Sequence, residues 1–293
     1  MYAKADTWAD LEQFVSGKKF VFVEEEEAVL LPIWREVFTG LDWARLRANP
    51  VYYGFGIPKG QGEAVITVPG FLGSDTYLFE LNLWLKRIGY RSYRSGIGRN
   101  SECPDLLVDR LIATIETAYA ETGEKVRLIG HSLGGMLSRS AAMLASDKVK
   151  SVISLGSPFR GVRSHPTVIQ TGRFVRQRIR ARRESRPESK PLREACFSGS
   201  CNCGFVESLR AGLPASIHQT AIYTKTDGIV DWSVCITGDP DIDIEVKGTH
   251  CGLAWNAEVY KLIAERLAEA ADHTVDPSAD ELPEADLRGV SFI

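Results

Sequence analysis

The stretch from Lys125 to Met143 constrains the fold of this chain more than any other. It reads KVRLIG, then HSLGG, then MLSRSAAM. Val126, Leu128 and Ile129 form a short β-branched and apolar run of the kind that suits a buried parallel strand. Gly130, Ser132 and Gly134 then fill a G-x-S-x-G pattern, which predicts a sharp strand-to-helix turn with the serine held at strained backbone angles. Small residues at Gly135, Ser138, Ala141 and Ala142 let the following helix press on the sheet. A strand, turn and helix of this kind require a mostly parallel sheet around them.

The rest of the chain supplies that sheet. Strands are expected at Glu63–Phe71 (EAVITVPGF), Arg91–Ser95, Lys148–Leu155, TAIYT from Thr220 and IDIEV at 242–246. Helices alternate with them at about 75–87, from Pro104 onward, and from Asn256 to about Ala270. The helix opened by Pro104 places Val108, Leu111, Ile112, Ile115 and Tyr119 on one face. Such alternation predicts an α/β class with helices on both faces of the sheet. Between Phe159 and Ile217 the rhythm breaks and no strand is evident, so residues 159–217 read as an inserted cap or lid over the carboxyl edge of the sheet. The expected organisation is therefore a helical extension at 1–60, a core at 61–158 and 218–272, the insertion, and an acidic tail at 273–293. In the extension, Thr7 caps a first helix. Pro32 opens a second whose Ile33, Trp34, Val37 and Phe38 face inward and which Gly40 stops. Tyr52–Ile57 reads as an extended edge segment.

Composition narrows the function classes. A length of 293 residues with 44% hydrophobic and 25% charged residues fits an ordinary globular chain. A net charge of −3 argues against nucleic acid as the main partner. The acidic N-terminus MYAKADTWADLEQF has no continuous apolar core, and no stretch approaches bilayer-spanning length, which predicts a cytoplasmic protein. Glu24 to Glu27 cannot all point at one ion, so they read as a solvated face and no metal is expected. The six cysteines are too few for a disulfide scaffold, and buried thiols are the expectation, with a Cys235–Cys251 bridge as the alternative.

A serine hydroxyl needs a base to take its proton and a third group to orient that base. In this architecture the partners follow in the order serine, acid, histidine. His131, His165 and His218 precede any acid after the TAIYT strand, and His273 lies in the tail, which leaves His250 in GTHCGL. The acid comes from TKTDGIVDW: Asp227, followed by a turn-forming glycine, is favoured, with Asp231 as the substitute. Asp239, Asp241 and Asp243 read as solvated. Oxyanion donors are expected from the backbone N–H of Leu133 and of Phe71 in VPGFLG.

With these residues in place, the chain resembles the α/β-hydrolases, most closely bacterial lipases and carboxylesterases. The resemblance covers roughly residues 60–160 and 218–270 and is carried by VPGFLG, GHSLGG, TDGIVDW and GTHCGL. It implies serine ester hydrolysis without metal or organic cofactor, with Ser132 matching the nucleophile, Asp227 the acid, His250 the base, and Phe71 and Leu133 the oxyanion donors. Pro69-Gly70 stands where many such lipases have His-Gly. Acyl transfer or thioester hydrolysis by the same triad, and a non-catalytic binding module on the same scaffold, are the rival readings. In the insertion, Val168, Val175 and Ile179, with Phe174 beside them, form an apolar stripe expected over Ser132. Arg176, Arg180 and Arg183 face outward there, as a solvated basic helix or, alternatively, on an anionic surface.

Overall fold

The computed structural model describes residues 26–184 and 203–272. The helix expected after Thr7, the tail expected at 273–293, Arg183's side chain, Cys196 and Cys201 lie outside the described residues. The chain enters through a two-residue strand β1 (Glu27–Ala28), a 3-10 turn (Ile33–Phe38), helix α1 (Thr39–Ala48) and a second 3-10 turn (Pro50–Tyr53). There follow β2 (Ala64–Val68), α2 (Phe79–Arg87), β3 (Arg91–Arg94), α3 (Pro104–Thr122), β4 (Val126–His131), α4 (Leu133–Leu144) and β5 (Val149–Leu155). The remaining elements are β6 (Arg163–Ser164), α5 (Pro166–Glu184), α6 (Gly204–Ala211), β7 (His218–Tyr223), β8 (Asp243–Glu245) and α7 (Ala257–Asp272).

Six strands form one sheet in the order β3-β2-β4-β5-β7-β8, every neighbouring pair parallel. Because successive strand residues point to opposite faces, the strands feed two separate cores. Ile66, Val68, Leu128, Val152 and Ala221 join α3, α4 and α6 on one face. Val65, Ile129, Ile153, Leu155 and Ile222 join α2, α7, Leu46 and Tyr52 on the other. The helical spacing read for α3 is met by burial of Val108, Leu111 and Ile115, with Ile112 and Tyr119 packed at its margin. Each such side chain removed from water contributes about 1.5–3 kcal/mol before entropy is subtracted. This is the α/β-hydrolase architecture, with β4 and the start of α4 at the centre of the sheet. Among the described residues no helix is long and apolar enough to cross a membrane.

Three expectations are corrected in the N-terminal extension. Gly40 does not stop a helix but lies inside α1, which begins at Thr39 instead of Ile33. That later start changes the helical phase. Ile33, Trp34, Val37 and Phe38 consequently stand exposed, Val37 at 73%, and the inward contacts are made by Glu36 and Asp42. Tyr52–Ile57 is no edge strand, since Pro50 opens a 3-10 turn whose first N–H Asn49 caps.

The stretch 159–217 is not a single strandless insertion. Arg163–Ser164 pairs in parallel with Glu27–Ala28, joining it to the N-terminal segment. Helix α6 buries Phe205, Val206 and Leu209 in the core beside α4, so it flanks the sheet. Of the stripe expected on helix α5, Ile179 is buried, Val168 and Val175 are half-buried and Phe174 is 58% exposed, while Ile169, not expected there, is buried. Arg176 does not stand free at its surface: its guanidinium grips both oxygens of Glu26, at 2.5 and 2.8 Å. Glu26 and Glu27 are correspondingly not a solvated face, since Glu27 pairs with Arg163 at 3.2 Å. Asp243, also expected in solvent, accepts from Thr237 N, Thr237 Oγ1 and Gly238 N and closes the turn before β8. Cys235 and Cys251 are both free thiols, so the bridge held as an alternative is absent.

Candidate active site

The turn between β4 and α4 is built by close approach. A methyl group on Gly134 would meet Val68 O at 2.2 Å, one on Gly130 would meet Gly135 Cα at 2.4 Å, and one on Gly135 would meet Ser157 Oγ at 1.9 Å. Only glycine fits where the first turn of α4 crosses beneath the strands. Ser132 sits at φ 52 and ψ −126, a conformation that L-residues other than glycine rarely adopt. Its amide donates to Leu155 O at 2.8 Å and its carbonyl accepts from Gly135 N at 2.9 Å, which holds the strain in place. The serine itself is half-buried.

Beside it lies the VPGFLG loop. A methyl group on Gly70 would stand 3.0 Å from Ser132 Cβ, so the loop runs directly against the serine. Leu72, at φ 61, is the other non-glycine residue with positive φ among the described residues. Asn100 holds this loop: its Nδ2 donates to Pro69 O at 2.9 Å, its N to Gly73 O at 2.8 Å, and its O accepts from Leu72 N at 2.8 Å. Fully buried, Asn100 fixes the course of a loop whose sequence departs from the His-Gly pattern. Among the described residues the backbone N–H groups of Phe71 and Leu133 meet no protein acceptor, whereas those of Leu72 and Ser132 do.

At the same carboxyl end of the sheet, His250 Nδ1 lies 2.6 Å from Asp227 Oδ2, and the two residues are only 2% and 4% exposed. Asp227's other oxygen accepts from Ile229 N at 2.8 Å and Val230 N at 2.7 Å, which orients the carboxylate towards the ring. Asp231 is engaged elsewhere. It accepts from Ser233 N and Oγ at 2.9 and 2.7 Å and faces Arg163 at 3.4 Å, so it caps a turn instead of reaching His250. With Nδ1 taken by Asp227, Nε2 is the ring nitrogen left for a proton acceptor's task. Ser132 and His250 border two consecutive residues: Leu155 O holds the serine amide, and a methyl group on the next residue, Gly156, would sit 3.2 Å from His250 Nδ1.

Burial pushes the His250 pKa down, but the charge and hydrogen bond of Asp227, joined by the charge of Glu36, outweigh it and leave the pKa above 6.5. His131 goes the other way. Burial, and then the charge of His250, lower it to about 3, so it is neutral and its Nε2 donates to His250 O at 2.9 Å. His131 thus supports the His250 loop, with its ring 5.0 Å from the His250 ring. Burial first, and then the charge of Glu36, push the Cys251 thiol up to about 12, so it stays protonated. Among the described residues no three His, Cys, Asp or Glu side chains group as metal ligands.

Sequence reasoning missed Asn100, His131's role, and the two acids of the N-terminal segment. Glu36 accepts from His250 N and Cys251 N at 3.0 and 2.9 Å, and Asp42 from Thr249 N and Oγ1 at 3.3 and 3.1 Å.

Comparison with known proteins finds similarity over parts of the chain. Residues 104–180 match the family described as "PGAP1-like alpha/beta domain". A triacylglycerol lipase of Pseudarthrobacter phenanthrenivorans is 34% identical over 106 residues, 33% of this chain and 33% of the relative. Another triacylglycerol lipase, from Burkholderia plantarii, is 34% identical over 106 residues, covering 33% of this chain and 30% of that protein. The match thus spans about a third of the length of these relatives. A monoacylglycerol lipase of Paleococcus ferrophilus superposes over 73% of this chain and 97% of its own at 16% identity and a TM-score of 0.48. The fold itself follows from the strand order and the glycine-built turn. The described residues have the α/β-hydrolase fold, and about a third of the chain is similar to triacylglycerol lipases.

Proposed function

We propose that the chain hydrolyses carboxylic esters through a covalent acyl-serine. One observation carries the reading: a buried, 2.6 Å Asp227–His250 bond at the sheet end where a strained serine stands. Ser132 Oγ attacks the ester carbonyl while His250 Nε2 takes its proton, and Asp227 stabilises the imidazolium that forms. The developing oxyanion accepts from the N–H groups of Leu133 and Phe71, which meet no protein acceptor among the described residues. His250 then returns the proton to the departing alkoxide, the C–O bond breaks, and the acyl group stays on Ser132. Water, deprotonated by His250, attacks the acyl-serine and releases the acid and the free hydroxyl.

Likeness to proteins named as triacylglycerol lipases makes acylglycerols the class to assay first. The test is a chain-length series of p-nitrophenyl esters and acylglycerols, run with and without a competing alcohol. Hydrolysis predicts free acid as the main product throughout. Dominant transfer of the acyl group to the added alcohol, with little free acid, would instead identify an acyltransferase using the same residues.

A further inference from the structure

The N-terminal segment reaches into the site through one carboxylate. Glu36 Oε1 accepts from Gly228 N at 3.1 Å and from His250 N at 3.0 Å, while Oε2 accepts from Cys251 N at 2.9 Å. Gly228 directly follows Asp227, so the three donors come from two separate loops, one after β7 and one after β8. We propose that Glu36 is a positioning residue for the reaction: it ties the loop that carries Asp227 to the loop that carries His250 and so sets their separation. The inference rests on the hydrolase reading above and deepens it.

The surroundings fit a clamp instead of an incidental contact. The backbone of the same segment presses on Gly228, where a methyl group would meet Pro32 O at 2.7 Å and Ile33 Cα at 3.0 Å. Six residues on, Asp42 Oδ2 takes Thr249 N and Oγ1, and a methyl group on Gly252 would meet it at 2.1 Å. The turn from 249 to 252 is thus seated on two acids. A carboxylate is the group the task requires, because it accepts at both oxygens and donates at neither. Glutamine cannot replace it: with Oε1 serving Gly228 and His250, its amide group would face the N–H of Cys251.

Glu36 also bears on the charge of the base. The ionisable groups around His250 are Asp227 from the loop after β7, Glu36 from the N-terminal turn, His131 at the end of β4 and the thiol of Cys251, with Tyr77 packed against His131 and Cys251. His131 is neutral and burial keeps the Cys251 thiol and the Tyr77 hydroxyl protonated, so Asp227 and Glu36 are the negative charges that favour the imidazolium. Removing the Glu36 charge lowers the His250 pKa. Since the base acts when neutral, the acidic limb of the rate profile then moves to lower pH.

The experiment measures kcat, KM and the pH dependence of kcat/KM for p-nitrophenyl butyrate with the full chain and its E36Q, E36D and S132A variants. For E36Q the expected result is kcat lower by about 10- to 100-fold, as for misplacement of a base by a fraction of an ångström, with KM changed less than about three-fold. Its acidic limb should lie below the parent's. E36D keeps the charge but is one methylene too short to span both loops, so kcat falls while the limb stays. Folded E36Q with the parent's kcat and limb overturns the inference. If E36Q does not fold, E36D decides, with unaltered kcat overturning it and reduced kcat at an unmoved limb supporting it. S132A separates the two readings: inactive S132A beside fully active E36Q removes only the clamp, whereas active S132A removes the serine mechanism and the clamp with it.

Discussion

Asp227 and Asp231 are four residues apart in one turn, and the sequence leaves both open as the orienting acid. Burial and partners separate them. Asp227 gives one oxygen to His250 and the other to two backbone amides, whereas Asp231 is used up by Ser233 and Arg163. Asp227→Asn should therefore lower kcat by on the order of 10⁴, the effect of leaving a triad histidine in the wrong tautomer. Asp231→Asn should change it by less than about ten-fold, because the residue acts on the turn and not on the ring. Steady-state kinetics on the two variants decide the assignment, and the opposite ranking would transfer the acid's role to Asp231. The same pair sets a pH dependence. Asp227 and Glu36 overcome burial and raise the His250 pKa above 6.5, so the imidazole stays protonated, and useless as a base, to a higher pH than a free histidine. The acidic midpoint of kcat/KM is expected above pH 6.5, and a midpoint well below it would mean that burial wins.

Elements differ in how much of themselves they disclose in sequence. β4 with α4 was fully legible, because a short apolar run, three glycines at crowded positions and a row of small residues all specify one crossing. The N-terminal turn and α1 were not. Their apolar residues suggested an inward face, yet Trp34, Val37 and Phe38 are exposed and the contacts to the core run through Glu36 and Asp42. A carboxylate that accepts backbone N–H groups from loops two hundred residues away leaves no local pattern. Asn100 is hidden for the same reason, since its partners Pro69, Leu72 and Gly73 meet it only in the folded chain. The β4–α4 crossing carries its own prediction. Gly134→Ala places a methyl group 2.2 Å from Val68 O, and relief requires α4 to move away from the sheet. Urea unfolding should show a loss of about 1–3 kcal/mol, the usual effect of overpacking, together with lower activity. Unchanged stability would mean that the crossing has slack.

At the scale of the whole molecule, a six-stranded parallel sheet gathers residues from 36 to 250 at one end. The residues proposed as nucleophile, acid and base each follow their own strand: Ser132 after β4, Asp227 after β7, His250 after β8. What was not readable is how the segment before the sheet closes on that end, or that residues 159–217 divide between α5, tied to Glu26, and α6, packed in the core. The account stands on Ser132 being the nucleophile that His250 activates. The most direct measurement is to treat the full chain with a fluorophosphonate, which phosphonylates an activated serine, and to map the adduct by peptide mass spectrometry. A single adduct on Ser132, absent from S132A and formed at least about 10³-fold more slowly in His250→Ala, is the predicted result. No adduct, or one on another serine that persists in S132A, would contradict it.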